Sequence, residues 1–545
     1  MLLEDKMLKT GNEKAIRTER LLNAAIAGFI FIAESLYGAY RGIYDQILPG
    51  DAMSRVANAY YVLFVTPPRL SSMGLIWNPL PSLLEIPLVA LSTVWKPMAS
   101  RAVAGDIVSA AFAALTAMIL LQTFQKFRIS FGYSLLITLC YALHPYIFYY
   151  GSNGMSEGMF IFFLVYCICN LTLWFTYGTG SYIIKMAFGL VGGFLIRYEA
   201  IPFAVGIGVC IILNILYNPR EKPYWLVGNA KRERLHYIEG TLITLYTPAV
   251  YAGIVWILLC LAIMGNPLYF LNSGYSNTTQ SAFASKVTTI QALIQYVLIR
   301  AMPFLVLFLA IVLVRAVKGT IFRYDFMCLF FLVMSLLSFH VLIYWKGSSF
   351  GWLRFFCYSF PICIAWMPYE MSAFQNRAEL QPQSLPLNLG KETENVKKQD
   401  KLLFKILFSC SIVLSVALFN QAMSNSAIYQ EEIGTYDYQQ SLEIADYIND
   451  KLPDKRVLTD VFTTYNVALN VNNFQNLVVS SSPDFEKCVA DPVGSEIEYL
   501  LVPDPKGVSN YDAINVAYPN LYAQGADWCR EVYDFGDYKL FQVTG

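Results

Sequence analysis

The sequence predicts a mainly α-helical, polytopic membrane bundle that ends in a small soluble α/β domain. Three observations carry this. Of 545 residues, 56% are apolar and only 14% charged, and mean hydropathy is +0.45, too little charge to cover a soluble protein of this size. The apolar residues fall in long runs: 241–264 contains no charge, and the run from Leu21 is broken only by Glu34 before Tyr40. Runs of about 18 or more apolar residues match the thickness of a bilayer core. Beyond residue 424 the runs stop, and short helix-like and strand-like segments alternate.

The N-terminus carries Lys6, Lys9, Lys14, Arg17 and Arg20 ahead of the first run, with no small-residue cleavage site. This pattern predicts a cytoplasmic segment, 1–20, and a retained first span at 21–40. Further spans are expected near 107–124, 131–149, 156–176, 182–196, 200–217, 241–264, 291–314, 326–345, 355–371 and 403–422, about eleven in all. With the N-terminus inside, the loops bearing Lys126 and Arg128, then Arg220 to Arg234, then Arg315, Lys318 and Arg323, all fall inside, as basic short loops should. The polar segment 376–401 reads as a flexible cytoplasmic linker.

The first outer segment, 41–106, is large. It holds Arg41, Arg55, Arg69, Lys96 and Arg101, against a charge rule that weakens for long loops. Pro79, Pro81 and Pro87 argue against a regular span there and for a helix lying on the outer leaflet. The chain thus divides into a membrane domain, 21–423, and an extracytoplasmic domain, 424–545. In the latter a helix is expected at 441–452 and strands at 456–459, 477–480, 499–503 and 538–543. Cys488 and Cys529 are open to two readings outside the cell, a disulfide or two separate buried thiols.

Several function classes fall away. Lys plus Arg and Asp plus Glu each number 39, so no global attraction to nucleic acid is expected. Three histidines and no CxxC pair exclude a multi-histidine or zinc-ribbon site. Most cysteines lie inside apolar runs as small buried residues.

The informative residues are polar ones at the outer ends of spans, where they can face a cavity. Asp51, Arg55 and Asn58 share one helical face if a helix starts near Gly50, although Asp51 could equally cap that helix or pair with Arg55. Trp77 and Asn78 precede the proline-rich stretch. Glu157 starts the fourth span behind Ser156, a position that also suits a capped first turn. Arg197 and Glu199 sit in the next outer turn and could pair with each other, while Lys346 and Arg354 follow the ninth span and could snorkel. Asp51, Glu157, Arg197 and Arg354 are expected to line one cavity at the outer membrane boundary. Guanidinium groups there suit a phosphate or pyrophosphate, which they bind bidentately. A neighbouring acid could deprotonate a hydroxyl nucleophile or hold a divalent metal, Mg or Mn.

In its order of parts the chain resembles the GT-C superfamily of membrane glycosyltransferases, especially the family-39-like enzymes related to protein O-mannosyltransferases and aminoarabinose transferases. The resemblance rests on an acid early in a large first outer loop, Asp51; a proline motif, Trp77-Asn78-Pro79-Leu80-Pro81; Pro145-Tyr146 followed by Glu157; a basic outer turn at Arg197; Arg354-Phe355-Phe356 ahead of Pro361; and a closing outer domain. Two departures concern metal use and substrate: Asp51 is followed by Ala52 rather than a second acid, and Trp77-Asn78 replaces the histidine of the family's His-Pro-Pro motif.

The resemblance implies transfer of a sugar from a polyprenyl-phosphate donor to an acceptor hydroxyl of a glycan, lipid or protein at the outer face, with inversion. It makes Asp51 the base or metal organiser and Glu157 the second acid, the pair that would share any metal. Arg197, Arg354 and Arg55 would hold the donor phosphate, and Asn58, Trp77, Asn78 and Glu199 would bind substrate. Two other classes remain open at this point: a transporter or lipid flippase, against which the absence of an internal repeat counts, and a non-catalytic assembly protein.

Overall fold

The computed structural model describes residues 2–218, 230–281, 287, 289–372, 391–433 and 438–544. Eight of its helices are long and apolar enough to cross a membrane: Arg17–Ile43, Val103–Lys126, Ser156–Tyr177, Ala200–Tyr217, Arg232–Met264, Ile290–Val317, Tyr324–Trp345 and Leu402–Met423. Phe131–Ala142 and Pro145–Gly151 together make a ninth, bent by 70°. The chain is a multi-pass membrane protein.

Two more of the expected spans correspond to shorter described helices. Ser181–Phe194 has 14 residues, about 21 Å of helix against a core of roughly 30 Å, and Ser359–Ser372 runs up to the edge of the described residues. Both still carry the chain from one end of the bundle to the other. Arg197, which follows the first, reaches Glu157 at the start of the Ser156–Tyr177 helix, so the intervening segment has returned to that end. Likewise Arg354 and Glu432 meet although Ser359–Ser372 and Leu402–Met423 lie between them. Ser359–Ser372 is buried along its whole length, as a helix apolar all round should be.

Two further segments are helical. Residues 2–20 are the first turns of the same helix as the first span, Leu2–Ile43. Residues 391–401 of the expected linker are helical, within the helix Lys391–Met423; its portion at 376–390 lies outside the described residues.

The outer segment folds into the helix Gly50–Phe64, a short Leu80–Val89 helix that carries Pro81 in its first turn and continues as a 3-10 turn, and the turn Pro97–Ser100. Beyond the last span, five strands form one sheet: β1 Val457–Thr459, β2 Leu477–Val479, β3 Tyr499–Pro503, β4 Cys529–Asp534 and β5 Tyr538–Val543, in the order β2-β1-β3-β5-β4. The first three strands are parallel, with Val457 opposite both Leu477 and Tyr499. β5 runs antiparallel to β3 and β4. Four strands and the helix Tyr438–Lys451 fall where expected; β4 does not announce itself, because five of its six residues are not buried and its alternation is weak.

One face of the sheet shares a core with the outer segment: Ile444, Leu501 and Leu540 pack in a single cluster with Met53, Val56, Tyr61 and Val89. The other face packs Cys488 and Cys529, as separate thiols, with Phe485, Ile514 and Phe541. The bases of the outer segment now have a structural reason. Lys96 Nζ donates to the Asn470 carbonyl at 2.7 Å, Arg101 Nη1 to Asn470 Oδ1 at 3.1 Å, and Arg69 Nη2 to the Ser481 carbonyl at 3.1 Å. They fasten this segment to the C-terminal domain, so the two lie on the same side of the bundle.

Candidate active site

Where the bundle meets the C-terminal domain, four elements bring charged side chains together. The helix Gly50–Phe64 follows Pro49, whose side chain provides no cap hydrogen bond. Asp51, in the first turn, is therefore not the cap. Nor does it pair with Arg55 through its carboxylate, because Arg55 Nη1 donates to the main-chain carbonyl of Asp51 at 3.2 Å. Arg354 takes the Asp51 carboxylate instead, with Nη2 3.0 Å from Oδ2.

Arg354 stands in the short 3-10 helix Leu353–Phe356. Its guanidinium lies 4.1 Å from the Trp352 ring centroid, and its Nε is 3.3 Å from Glu157 Oε1. The same Glu157 oxygen is 2.8 Å from Arg197 Nη1. Arg197 also donates to Ser156 Oγ at 3.0 Å and holds Glu199 Oε1 through Nη2 at 2.6 Å. The result is a continuous chain, Asp51–Arg354–Glu157–Arg197–Glu199. The turn ahead of Glu157 is made by Gly154, at φ +71°, where a Cβ would lie 3.1 Å from the Gly105 backbone; glycine alone combines that conformation with that approach.

Burial sets the electrostatics. Burial alone would lower the pKa of Arg197 and of Arg354, yet the carboxylates beside them, Glu199 and Glu157 for the first and Glu157 and Asp51 for the second, hold both above the ordinary value. Glu199 moves the opposite way: burial works against its charge, but Arg197 outweighs that and keeps it ionised. Arg55 is lowered by burial, which Asp51 and Glu157 only partly offset. It lies 4.7 Å from the Trp77 ring centroid.

Asp51 is the most exposed member of the chain, ahead of Arg197 at 13% and Glu199 at 11%. Asp51 is 35% exposed, against 8% for Arg354 and 1% for Glu157. With Asn58 and Trp77 it lines a cavity of about 350 Å³, whose opposite wall comes from Arg69, Tyr269, Tyr275 and, in the C-terminal domain, Asp460, Phe462, Ser480 and Ser481. Thus the four residues expected to line one cavity do converge, but Glu157, Arg197 and Arg354 are packed behind it. Asn78 does not line it; buried, it donates to the Phe194 carbonyl at 2.6 Å.

Sequence reasoning missed several members. Glu432, in the helix Ser426–Ile433 after the last span, accepts from the Arg354 main-chain N–H at 3.1 Å and from Tyr150 Oη; its burial raises its pKa. His340, a polar ring within an apolar span, lies between the rings of Phe355 and Tyr358 with Nε2 3.9 Å from Glu199 Oε1. A polar residue in a span is a signal of function or pairing that could have found it. Glu432 had no such signal.

Among the described residues no group of three His, Cys, Asp or Glu side chains could hold a metal ion. Asp51 and Glu157, the expected metal pair, do not fit one as arranged, because the Arg354 guanidinium bridges them.

No family model matches the chain, and no curated protein does. Solved structures do. The chain is similar to ArnT from Cupriavidus metallidurans in the apo state, with TM-score 0.53 and 11% identity over 95% of this chain and 98% of that one. It is similar to the same protein bound to undecaprenyl phosphate, with TM-score 0.50 and 11% identity over 94% and 97%. The likeness is one of fold: the chain shares the fold of ArnT.

Proposed function

We propose that this protein is a glycosyltransferase that moves a sugar from a polyprenyl-phosphate donor to an acceptor hydroxyl at the outer face of the membrane, with inversion. The observation that carries this reading is the Asp51–Arg354–Glu157–Arg197 chain, one acid of which opens on a cavity, on a fold whose solved example holds undecaprenyl phosphate.

The chemistry follows from the placement. The acceptor hydroxyl enters the cavity and gives its proton to the Asp51 carboxylate as its oxygen attacks the anomeric carbon. The bond from that carbon to the phosphate oxygen breaks with its electron pair, and the polyprenyl phosphate leaves. Arg354 and Arg197 stabilise the charge that gathers on the leaving phosphate, where planar guanidinium donors suit its oxygens. One displacement at carbon inverts it, and one base suffices.

Glu157, expected as a second catalytic acid, is too enclosed to meet substrate; it acts as a positioning residue that holds both arginines. Arg55 has a similar supporting place beneath Trp77. No step is assigned to a divalent metal. In this reading the N-terminus is cytoplasmic, and the 424–545 region is extracytoplasmic.

The test is incubation of the purified protein with a panel of polyprenyl-phosphate sugars and candidate acceptors. Release of free polyprenyl phosphate, dependent on acceptor and lost in Asp51→Asn, is expected. Equal release by Asp51→Asn removes Asp51 as the base, and no release with any donor removes the reading.

A further inference from the structure

The cavity in front of Asp51 has a composition of its own. Its aromatic surface comes from three separate parts of the chain: Trp77 in the outer segment, Tyr269 between two spans, and Phe462 in the C-terminal domain. Flat rings suit the C–H faces of a sugar ring, and neutral amides and hydroxyls between them suit its hydroxyl groups. Asn58 supplies such an amide. It stands two helical turns along from Asp51 on the same face, and among the described residues its side chain makes no hydrogen bond.

Among the described residues one cation, Arg69, lines the cavity beside two carboxylates, Asp51 and Asp460, the latter fully buried and already accepting from the Phe462 and Ala513 N–H groups and from Tyr275 Oη. Arg69 Nε donates to Ser72 Oγ and its Nη2 to the Ser481 carbonyl, both at 3.1 Å. Both partners are neutral, and among the described residues no carboxylate pairs with it. A guanidinium fixed by neutral acceptors on a cavity wall keeps its charge available for an incoming anion. A purely neutral or purely lipidic ligand would leave that charge unused.

Resting on the glycosyltransferase reading, we infer that the acceptor is an acidic saccharide: a sugar whose carboxylate or phosphate meets Arg69, whose ring lies against the aromatic walls, and whose free hydroxyl faces Asp51. The C-terminal domain, through Ser481 and Phe462, then forms part of the acceptor site and helps select it.

The full chain in lipid nanodiscs is titrated calorimetrically with maltotriose (neutral), trigalacturonate (carboxylate) and maltose 1-phosphate (phosphate), and separately with undecaprenyl phosphate. At least one acidic sugar should bind on the order of tenfold more tightly than maltotriose, and which of the two is favoured identifies the acid group. Arg69→Gln should remove the preference. Asn58→Ala, which breaks no internal bond, should weaken all three sugars with an unchanged melting temperature, so the test survives even if Arg69→Gln loosens the domain contact. If undecaprenyl phosphate binds but the sugars bind equally, or none binds, or a serine-rich peptide binds in their place, the acidic-saccharide inference is overturned and the transferase reading stands. If undecaprenyl phosphate does not bind either, the transferase reading itself fails.

Discussion

Arg354 and Asp51 are 303 residues apart in the chain, and Arg354 Nη2 lies 3.0 Å from Asp51 Oδ2. The other edge of the same guanidinium rests on Glu157. Of these two acids, only Asp51 reaches open space. In the proposed reaction a phosphate that approaches Arg354 competes with Asp51 rather than with Glu157, and its arrival would free the carboxylate to act as the base.

Asp51→Asn should show both halves of this exchange. Transfer is expected to fall by about 100- to 10,000-fold, the usual cost of losing a general base. Affinity for undecaprenyl phosphate should rise about fivefold, the equivalent of removing one competing ion pair of roughly 1 kcal/mol. The melting temperature should hardly change, because the helix start does not rely on this side chain as its cap. Weaker phosphate binding in the variant would contradict the competition and favour Asp51 as a metal ligand.

Arg354→Lys keeps the charge but loses the planar fork that spans Asp51 and Glu157. Undecaprenyl phosphate binding, measured directly, should weaken on the order of tenfold or more. Binding at the wild-type level would show that the phosphate is held elsewhere.

Transfer should persist in excess chelator, since a guanidinium occupies the position between the two acids that a shared metal would take. Loss of turnover on chelation, with recovery on adding Mg or Mn, would refute this.

The side of the C-terminal domain can be tested with an impermeant thiol reagent on intact cells or spheroplasts. Lys506, 83% exposed, is a suitable position. Lys506→Cys should label from outside, and a cysteine at Gln381 should label only after lysis. The opposite pattern would invert the topology and place the cavity on the cytoplasmic face.

Asp512 offers a pH test in the C-terminal domain. Burial, and then the neighbouring Asp460, raise its carboxyl pKa well above the ordinary value. A raised carboxyl contributes its stability below the unfolded pKa and loses it as pH climbs through the folded one. The domain should therefore melt at lower temperature as pH rises above the ordinary carboxylate range. Asp512→Asn, which can still accept from the Ile514 N–H as a helix cap, should flatten that dependence. An equally steep fall in the variant would assign the effect to another group.

The sequence by itself determined the class of protein, the order of the spans and most of the C-terminal strands. Those properties follow from local composition: long uncharged runs, basic inner loops and short apolar segments bounded by turns are written in consecutive residues. It also pointed to Asp51, Glu157, Arg197 and Arg354, because charge at the end of a span is costly unless something uses it. Sequence could not decide what those charges do, since each had a local partner or cap available. The structure decided that by long-range contact: Asp51 meets Arg354 rather than Arg55, and Glu157 meets two arginines rather than capping its helix. Tertiary packing alone also placed Glu432 behind Arg354 and Asp460 on the cavity wall. It also enclosed Ser359–Ser372 along its described length, as befits a helix that is apolar all round.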